Sequence, residues 1–223
     1  MQASLNCKAW MECLGTHRSV WSLWFGSFLF VMLYACGEAG EFNPERSIGD
    51  AAPGWKDLPG VDGEKHSFES LRDKDVVVVI FTCNSCPYAV DYEDRFCELG
   101  RRYASPDSRV AVVAISVNRI AADQLPAMKE RAESKGFVFP YMHDESQRIA
   151  REYGAVRTPE CFVLDRERKI AYMGAYDDNP RGTEVKVRYV QDAIDALLEG
   201  KEISIRETPQ IGCRIRFVGE RGK

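Results

Sequence analysis

From Val76 onward the chain alternates between unbroken runs of apolar β-formers and stretches whose apolar residues recur at helical spacing. Val76-Val77-Val78-Val79-Ile80-Phe81-Thr82 has no polar alternation, the pattern of a strand buried on both faces. Tyr92, Phe96, Leu99 and Tyr103 then repeat at helical intervals and predict a helix from about Cys86 to Tyr103. Pro87 suits its first turn, and Gly100 weakens the pattern slightly. Arg109–Val117 reads as a second buried strand. Leu125–Lys135 reads as a helix with Leu125, Met128 and Ala132 inward, Asp123 as its cap and Gly136 as its end. Phe137–Pro140 is a short extended piece, and Glu145–Tyr153 a helix capped by Asp144 and stopped by Gly154. Cys161–Asp165 and Lys169–Gly174 form a strand pair about a charged turn. Val187, Val190, Ile194, Leu197 and Leu198 give Glu184–Glu199 the apolar face of a last helix.

The order is β-α-β-α-(α)-β-β-α. Two β-α-β steps imply parallel strands with right-handed crossovers, and the late hairpin adds antiparallel ones. The expected architecture is an α/β fold with a mixed central sheet. Residues 51–200 form one domain, opened by the turn-rich Ala51–Asp75. A tail over 201–223 follows, basic at its end and carrying Cys213.

Composition changes this picture little. With 45% hydrophobic and 29% charged residues among 223, the body is that of an ordinary globular protein. A net charge of −4 leaves no basic footprint, which excludes nucleic acid as an expected partner. Eight cysteines are too few for a disulfide scaffold.

The first residues differ from the rest. Ser19 to Gly37 carries no charge and is rich in Trp, Phe, Leu and Val, with Lys8 and Arg18 before it. This pattern fits an export signal and is borderline for a spanning helix, which needs about 20 apolar residues. Leu33-Tyr34-Ala35-Cys36-Gly37 resembles the lipobox of bacterial lipoproteins, although Tyr34 is bulky for it. That resemblance implies a signal peptide over 1–35, lipid attachment at Cys36 and a polar tether over 36–50. An uncleaved anchor and a plain cleaved signal are the alternatives. Each places the body outside the cytoplasm, and lipidated Cys36 would hold it to the membrane on the periplasmic side of a bacterium.

Cys83-Asn84-Ser85-Cys86-Pro87 ends the first strand and opens the first helix. Two cysteines at this spacing can close a disulfide across a helix's first turn. There, unpaired N–H groups and the helix dipole favour the thiolate that disulfide chemistry needs. A structural disulfide and half of a zinc site are the alternatives. Zinc asks for four ligands, and the chain has no second Cys-x-x-Cys and only His17, His66 and His143.

With this dithiol, with Gly154-Ala155-Val156-Arg157-Thr158-Pro159 before a strand, and with Ile48-Gly49-Asp50-Ala51-Ala52-Pro53 as lead-in, the chain resembles the redoxin branch of the thioredoxin fold. That branch holds the thiol-specific antioxidant and alkyl hydroperoxide reductase proteins and the TlpA-like thiol:disulfide oxidoreductases. The resemblance covers roughly Ser47 to Gly200. It implies a three-layer α/β/α sandwich and a cis peptide at Pro159, with Thr158 and Pro159 binding substrate. It also implies exchange with protein thiols or disulfides, reset by an upstream redox partner, without a cofactor beyond the Cys83–Cys86 disulfide. Cys83 would be the exposed nucleophile and Cys86 the buried, less acidic resolving thiol.

Three departures bear on function. Thr82 stands where thioredoxins have Trp, and Val77 stands where they carry a buried Asp that assists proton transfer, which makes Glu160 a candidate substitute. A peroxidatic cysteine would fall at Cys86 with Thr or Ser three positions earlier, but Cys83 is there, and Arg157 is two positions from the arginine that peroxidases need. Both favour disulfide exchange over peroxide reduction. A Cu(I)-binding assembly protein is the third reading, weakened by the short cysteine spacing and the lack of a matching histidine. Cys97 and Cys161 read as packing residues. Cys213 can exchange with the dithiol or pair with Cys97 or Cys161.

Overall fold

The structure is a computed structural model and describes residues 40–219. Residues 1–39, which include the stretch read as a signal peptide and Cys36, lie outside the described residues. Among the described residues no helix is long and apolar enough to cross a membrane.

Two short strands, β1 (Leu58–Pro59) and β2 (Lys65–His66), form an antiparallel hairpin ahead of the main body. There follow β3 (Val76–Phe81), α1 (Pro87–Arg102), β4 (Val110–Ser116), α2 (Leu125–Lys135), β5 (Tyr141–His143) and α3 (Arg148–Tyr153). The chain continues through β6 (Arg157–Thr158), β7 (Glu160–Leu164), β8 (Ile170–Gly174), α4 (Tyr189–Leu198) and β9 (Cys213–Arg214). The main sheet runs β5-β4-β3-β7-β8. β3 is parallel to β4 and antiparallel to β7, so the sheet is mixed as expected.

The apolar run places β3 in the middle because both of its faces must leave water. Val76, Val78 and Ile80 pack beneath Tyr92, Phe96 and Leu99 of α1, Met128 of α2, and Val190 and Ile194 of α4. Val77, Val79 and Phe81 face Trp55, Ile149, Tyr153 and Phe162 on the other side. Phe81, Tyr153 and Phe162 meet edge-on, with ring centroids 4.9–5.7 Å apart. The result is a sheet between two helical layers.

Several expectations change. Phe137–Pro140 is not a strand; pairing with β4 begins at Tyr141. Instead Phe137 and Phe139 stack at 4.9 Å and press on α1. A Cβ at Gly100 would stand 2.6 Å from the Phe139 ring, so this glycine admits a close approach rather than merely weakening a helix. α4 starts at Tyr189, not Glu184, because the preceding residues are held by Asp178: its N–H donates to Val187 O and its carboxylate accepts Lys186 N–H. Residues 40–50 are fixed to the body. Asn43 Nδ2 donates to Tyr153 O at 2.9 Å, and the Glu207 carboxylate accepts the N–H groups of Glu41, Phe42 and Asn43.

The described part of the tail is also fixed. The Thr208 hydroxyl accepts Ala175 N–H at 2.9 Å, and the segment ends by laying β9 against β6.

Candidate active site

β3 delivers the dithiol to the end of the sheet. Thr82 N–H still donates to Ile115 O at 3.0 Å, after which Cys83, Asn84 and Ser85 turn into α1. Cys86 is the residue before the helix, in extended conformation, and Pro87 is the first helical residue, where its missing N–H costs nothing.

Both sulfurs meet Thr158. Cys83 Sγ lies 3.3 Å from Thr158 Oγ1, and the Cys86 thiol donates to Thr158 O at 3.0 Å. The Thr158–Pro159 peptide is cis, as the resemblance implies. Cys83 and Cys86 are free thiols, each only 2% exposed. Cys83 is therefore not the exposed partner of the pair: tail residue Cys213 packs against the cluster that Cys83 and Cys86 form with Ala89.

Acidity is also distributed differently from expectation. The hydrogen bond from Cys83 pushes the Cys86 thiol down, burial opposes this, and the Cys213 side chain and the Ala89 amide reinforce it. The same hydrogen bond pushes Cys83 up, as do its burial and the negative charge of Asp123. These causes favour loss of a proton at Cys86, at the helix N-terminus, over loss at Cys83, and the Cys86 bond to Thr158 O belongs to its protonated form.

Asp123 has a role that sequence reasoning missed. It does not cap α2, for which Gln124 is the residue before the first turn. It is wholly buried, and its Oδ1 accepts Ser85 N–H at 2.8 Å while Oδ2 accepts the Ser85 hydroxyl at 2.6 Å and the Asn118 amide at 2.9 Å. Asn84 Nδ2 donates to Ala122 O at 2.9 Å, and Tyr141 OH donates to Asn84 Oδ1 at 3.2 Å. Both middle residues of the motif are thus tied to the turn at 121–123. The available signal was an acid in a turn after a buried strand, which read equally well as a cap.

Glu160 is fully buried, and its Oε2 accepts the N–H groups of Val156 at 2.9 Å and Arg157 at 3.2 Å. Burial pushes its carboxyl up to about 7 against the pull of those two amides. The Gln210 side chain adds a weaker pull, without a hydrogen bond of normal geometry to Oε1. Glu160 therefore braces the loop carrying Thr158, and its hydrogen bonds go to that loop. Val77 lies in the core facing α3, with no acid in its place.

The other sequence candidates separate. Cys161 is sealed in the core on β7, and Cys97 is buried with its thiol 3.6 Å from Lys135 O. Arg157 Nη1 donates to Gly212 O at 2.8 Å. Among the described residues no group of three or more metal-ligand side chains has the arrangement of a metal site.

A strand-borne dithiol at a helix start, beside a cis-proline at the end of a mixed sheet, defines a redoxin of thioredoxin-like fold. Residues 48–173 match the AhpC/TSA family, and the chain belongs to that family. It is similar to a hypothetical protein from Sinorhizobium meliloti 1021, with 31% identity, a TM-score of 0.73, and 80% of this chain and 98% of that one covered. An uncharacterized conserved protein from Geobacillus kaustophilus is 32% identical, with a TM-score of 0.72 and coverage of 78% and 94%. A thiol:disulfide interchange protein of the thioredoxin family from Chlorobium tepidum TLS shares the fold at 23% identity, a TM-score of 0.53 and coverage of 68% and 99%. Comparison with curated proteins gives no match.

Proposed function

We propose that the protein is a thiol:disulfide oxidoreductase acting through Cys83 and Cys86 on protein disulfides. The observation that carries this reading is the placing of both thiols within hydrogen-bond reach of Thr158 at the cis-proline. As a reductase it works without the buried acid absent at Val77, because Cys86 supplies the base. Cys83 passes its proton to the Cys86 sulfur and attacks a substrate sulfur. A mixed disulfide forms, and the substrate's other sulfur leaves as thiolate and takes that proton. The Cys86 thiolate then attacks Cys83 Sγ, closing the Cys83–Cys86 disulfide and releasing the second substrate sulfur, which takes a proton from solvent. An upstream thiol partner resets the pair. The uncharged stretch 19–37, with Cys36 near its end, supports a membrane-tethered place outside the cytoplasm.

Peroxide reduction is favoured by one feature, the downward pull that its surroundings exert on the Cys86 thiol at the position a peroxidatic sulfur would take. One pair of variants separates the two. Cys83→Ser is expected to abolish insulin-disulfide reduction, and Cys86→Ser to accumulate mixed disulfides with substrate. Full reductase activity in Cys83→Ser removes the exchange mechanism. Rapid peroxide consumption by Cys83→Ser, lost in Cys86→Ser, establishes the peroxidase instead.

A further inference from the structure

The C-terminal segment is built into the site as a strand of fixed register. β9 runs antiparallel to β6, with Cys213 opposite Thr158 and Arg214 opposite Arg157. Gly212 allows the approach: a Cβ there would stand 2.1 Å from Thr158 O. Beyond the strand, Ile215 N–H donates to Val156 O at 2.9 Å, and the Ile215 side chain is buried in the core on the α3 side. The Gln147 amide then spans Val117 O at 2.9 Å and Arg216 O at 3.0 Å, and Gln147 Oε1 accepts Val218 N–H at 2.8 Å. None of these anchors uses sulfur, so the segment stays in place whatever the cysteines do.

This register sets Cys213 on the dithiol. Its side chain packs against the cluster of Cys83, Cys86 and Ala89, and the acidities of Cys213 and Cys86 depend on each other. Two sulfurs therefore lie together at one helix N-terminus, with a third, Cys83, in the same cluster. Cys213 is also partly exposed, unlike Cys97 and Cys161, which are closed within packing.

We infer that Cys213 is a third redox-active thiol that takes over the disulfide from Cys83, forming a Cys86–Cys213 bond. The inference rests on the dithiol-exchange reading above. In the oxidised protein the Cys213 thiolate attacks Cys86 Sγ. The Cys83–Cys86 bond breaks, the Cys86–Cys213 bond forms, and Cys83 leaves as thiolate and takes up the proton that Cys213 lost. No net oxidation occurs; one disulfide moves among three sulfurs.

The electrostatics suit this order of events. In the reduced protein, burial and then the hydrogen bond and charge of Cys86 push Cys213 up to about 11. Once Cys86 is bonded to Cys83 it carries no charge, so Cys213 becomes more acidic when its target is present. The exchange regenerates a free Cys83 while the two oxidising equivalents remain stored against the fixed strand.

The test is disulfide mapping of the full-length chain after diamide oxidation, by proteolysis and mass spectrometry without reduction. In Cys83→Ser the expected dominant product is a peptide pair linked through Cys86 and Cys213, absent when Cys213→Ser is added. In the wild type, Cys83–Cys86 and Cys86–Cys213 pairs are expected in one sample. If the wild type closes Cys83–Cys86 but Cys83→Ser gives no Cys86–Cys213 pair, the inference fails and the dithiol reading stands. If the wild type never closes Cys83–Cys86, the dithiol reading fails. Should Cys83→Ser lose its cooperative melt, Cys83→Ala and the wild-type map decide: no Cys86–Cys213 pair in either overturns the inference.

Discussion

The dithiol has two sides of different origin. On the near side, β3, the turn and α1 are consecutive in the chain, and strand and helix geometry alone fix where Cys83 and Cys86 point. The far side is assembled from Asp123, Thr158 and Cys213, brought in by α2's approach, the cis-proline loop and the last described strand. The near side supplies the sulfurs. The far side decides which sulfur loses its proton, how rigidly the turn is held and how much of the pair solvent sees. A Cys-x-x-Cys therefore announces the chemistry, while its tuning lies in residues whose sequence positions carry no mark of it.

The largest expected effect comes from breaking the far side at Asp123. Asp123→Ala removes the acceptor of three hydrogen bonds and leaves Ser85 N–H and the Asn118 amide without it. Hydrogen bonds to charged groups contribute about 1.5–3 kcal/mol each, and they are not additive, so a loss of about 4 kcal/mol in unfolding free energy is expected. Denaturant unfolding measures it. A loss below about 1 kcal/mol would show that the near side holds the turn unaided.

The legibility of the molecule follows the same division. The six residues of β3 and the inner face of α1 could be read from hydrophobic pattern because burial on two faces, or on one stripe, is written into consecutive residues. Thr158-Pro159 was legible only through resemblance. Asp123 was misread because a buried acid after a strand and a helix cap look alike one residue apart. Residues 201–219 read as a polar tail because many of their anchors are backbone hydrogen bonds to Val156, Met173 and the Gln147 amide, and those do not depend on the tail's side-chain types. Gly100 and Gly212 share one lesson: each marks a close approach that only the partner, Phe139 or Thr158, explains.

Glu160 gives the second effect, one that depends on pH. Its carboxyl is raised from 4.5 to about 7, so the folded state holds its proton more tightly than the unfolded state. The associated stability is complete below pH 4.5 and is lost as pH rises through about 7, a decline on the order of 3 kcal/mol. Glu160→Gln keeps an oxygen for the Val156 and Arg157 amides but cannot ionise. The variant is expected to match the wild type near pH 5 and to exceed it at pH 8, the decline having disappeared. Parallel stability curves for the two proteins would mean that Glu160 is ionised throughout this range.

The smallest effect sharpens the comparison most, because it touches one sulfur through one atom. The Thr158 hydroxyl lies 3.3 Å from Cys83 Sγ and favours its charged form, while Thr158 O takes the Cys86 thiol. Thr158→Val removes the hydroxyl and retains the β-branch, the carbonyl and the pairing with Cys213. A hydrogen bond of about 1 kcal/mol corresponds to roughly a fivefold smaller thiolate fraction at Cys83. Mass-resolved alkylation with iodoacetamide at fixed pH should therefore slow about fivefold at Cys83, change little at Cys86, and recover in Thr158→Ser. Equal slowing at both sulfurs would mean that valine has moved the loop. Unchanged rates would mean that the near side alone sets the reactivity of Cys83, and the division between the two sides would fail at the sulfur where it matters for attack.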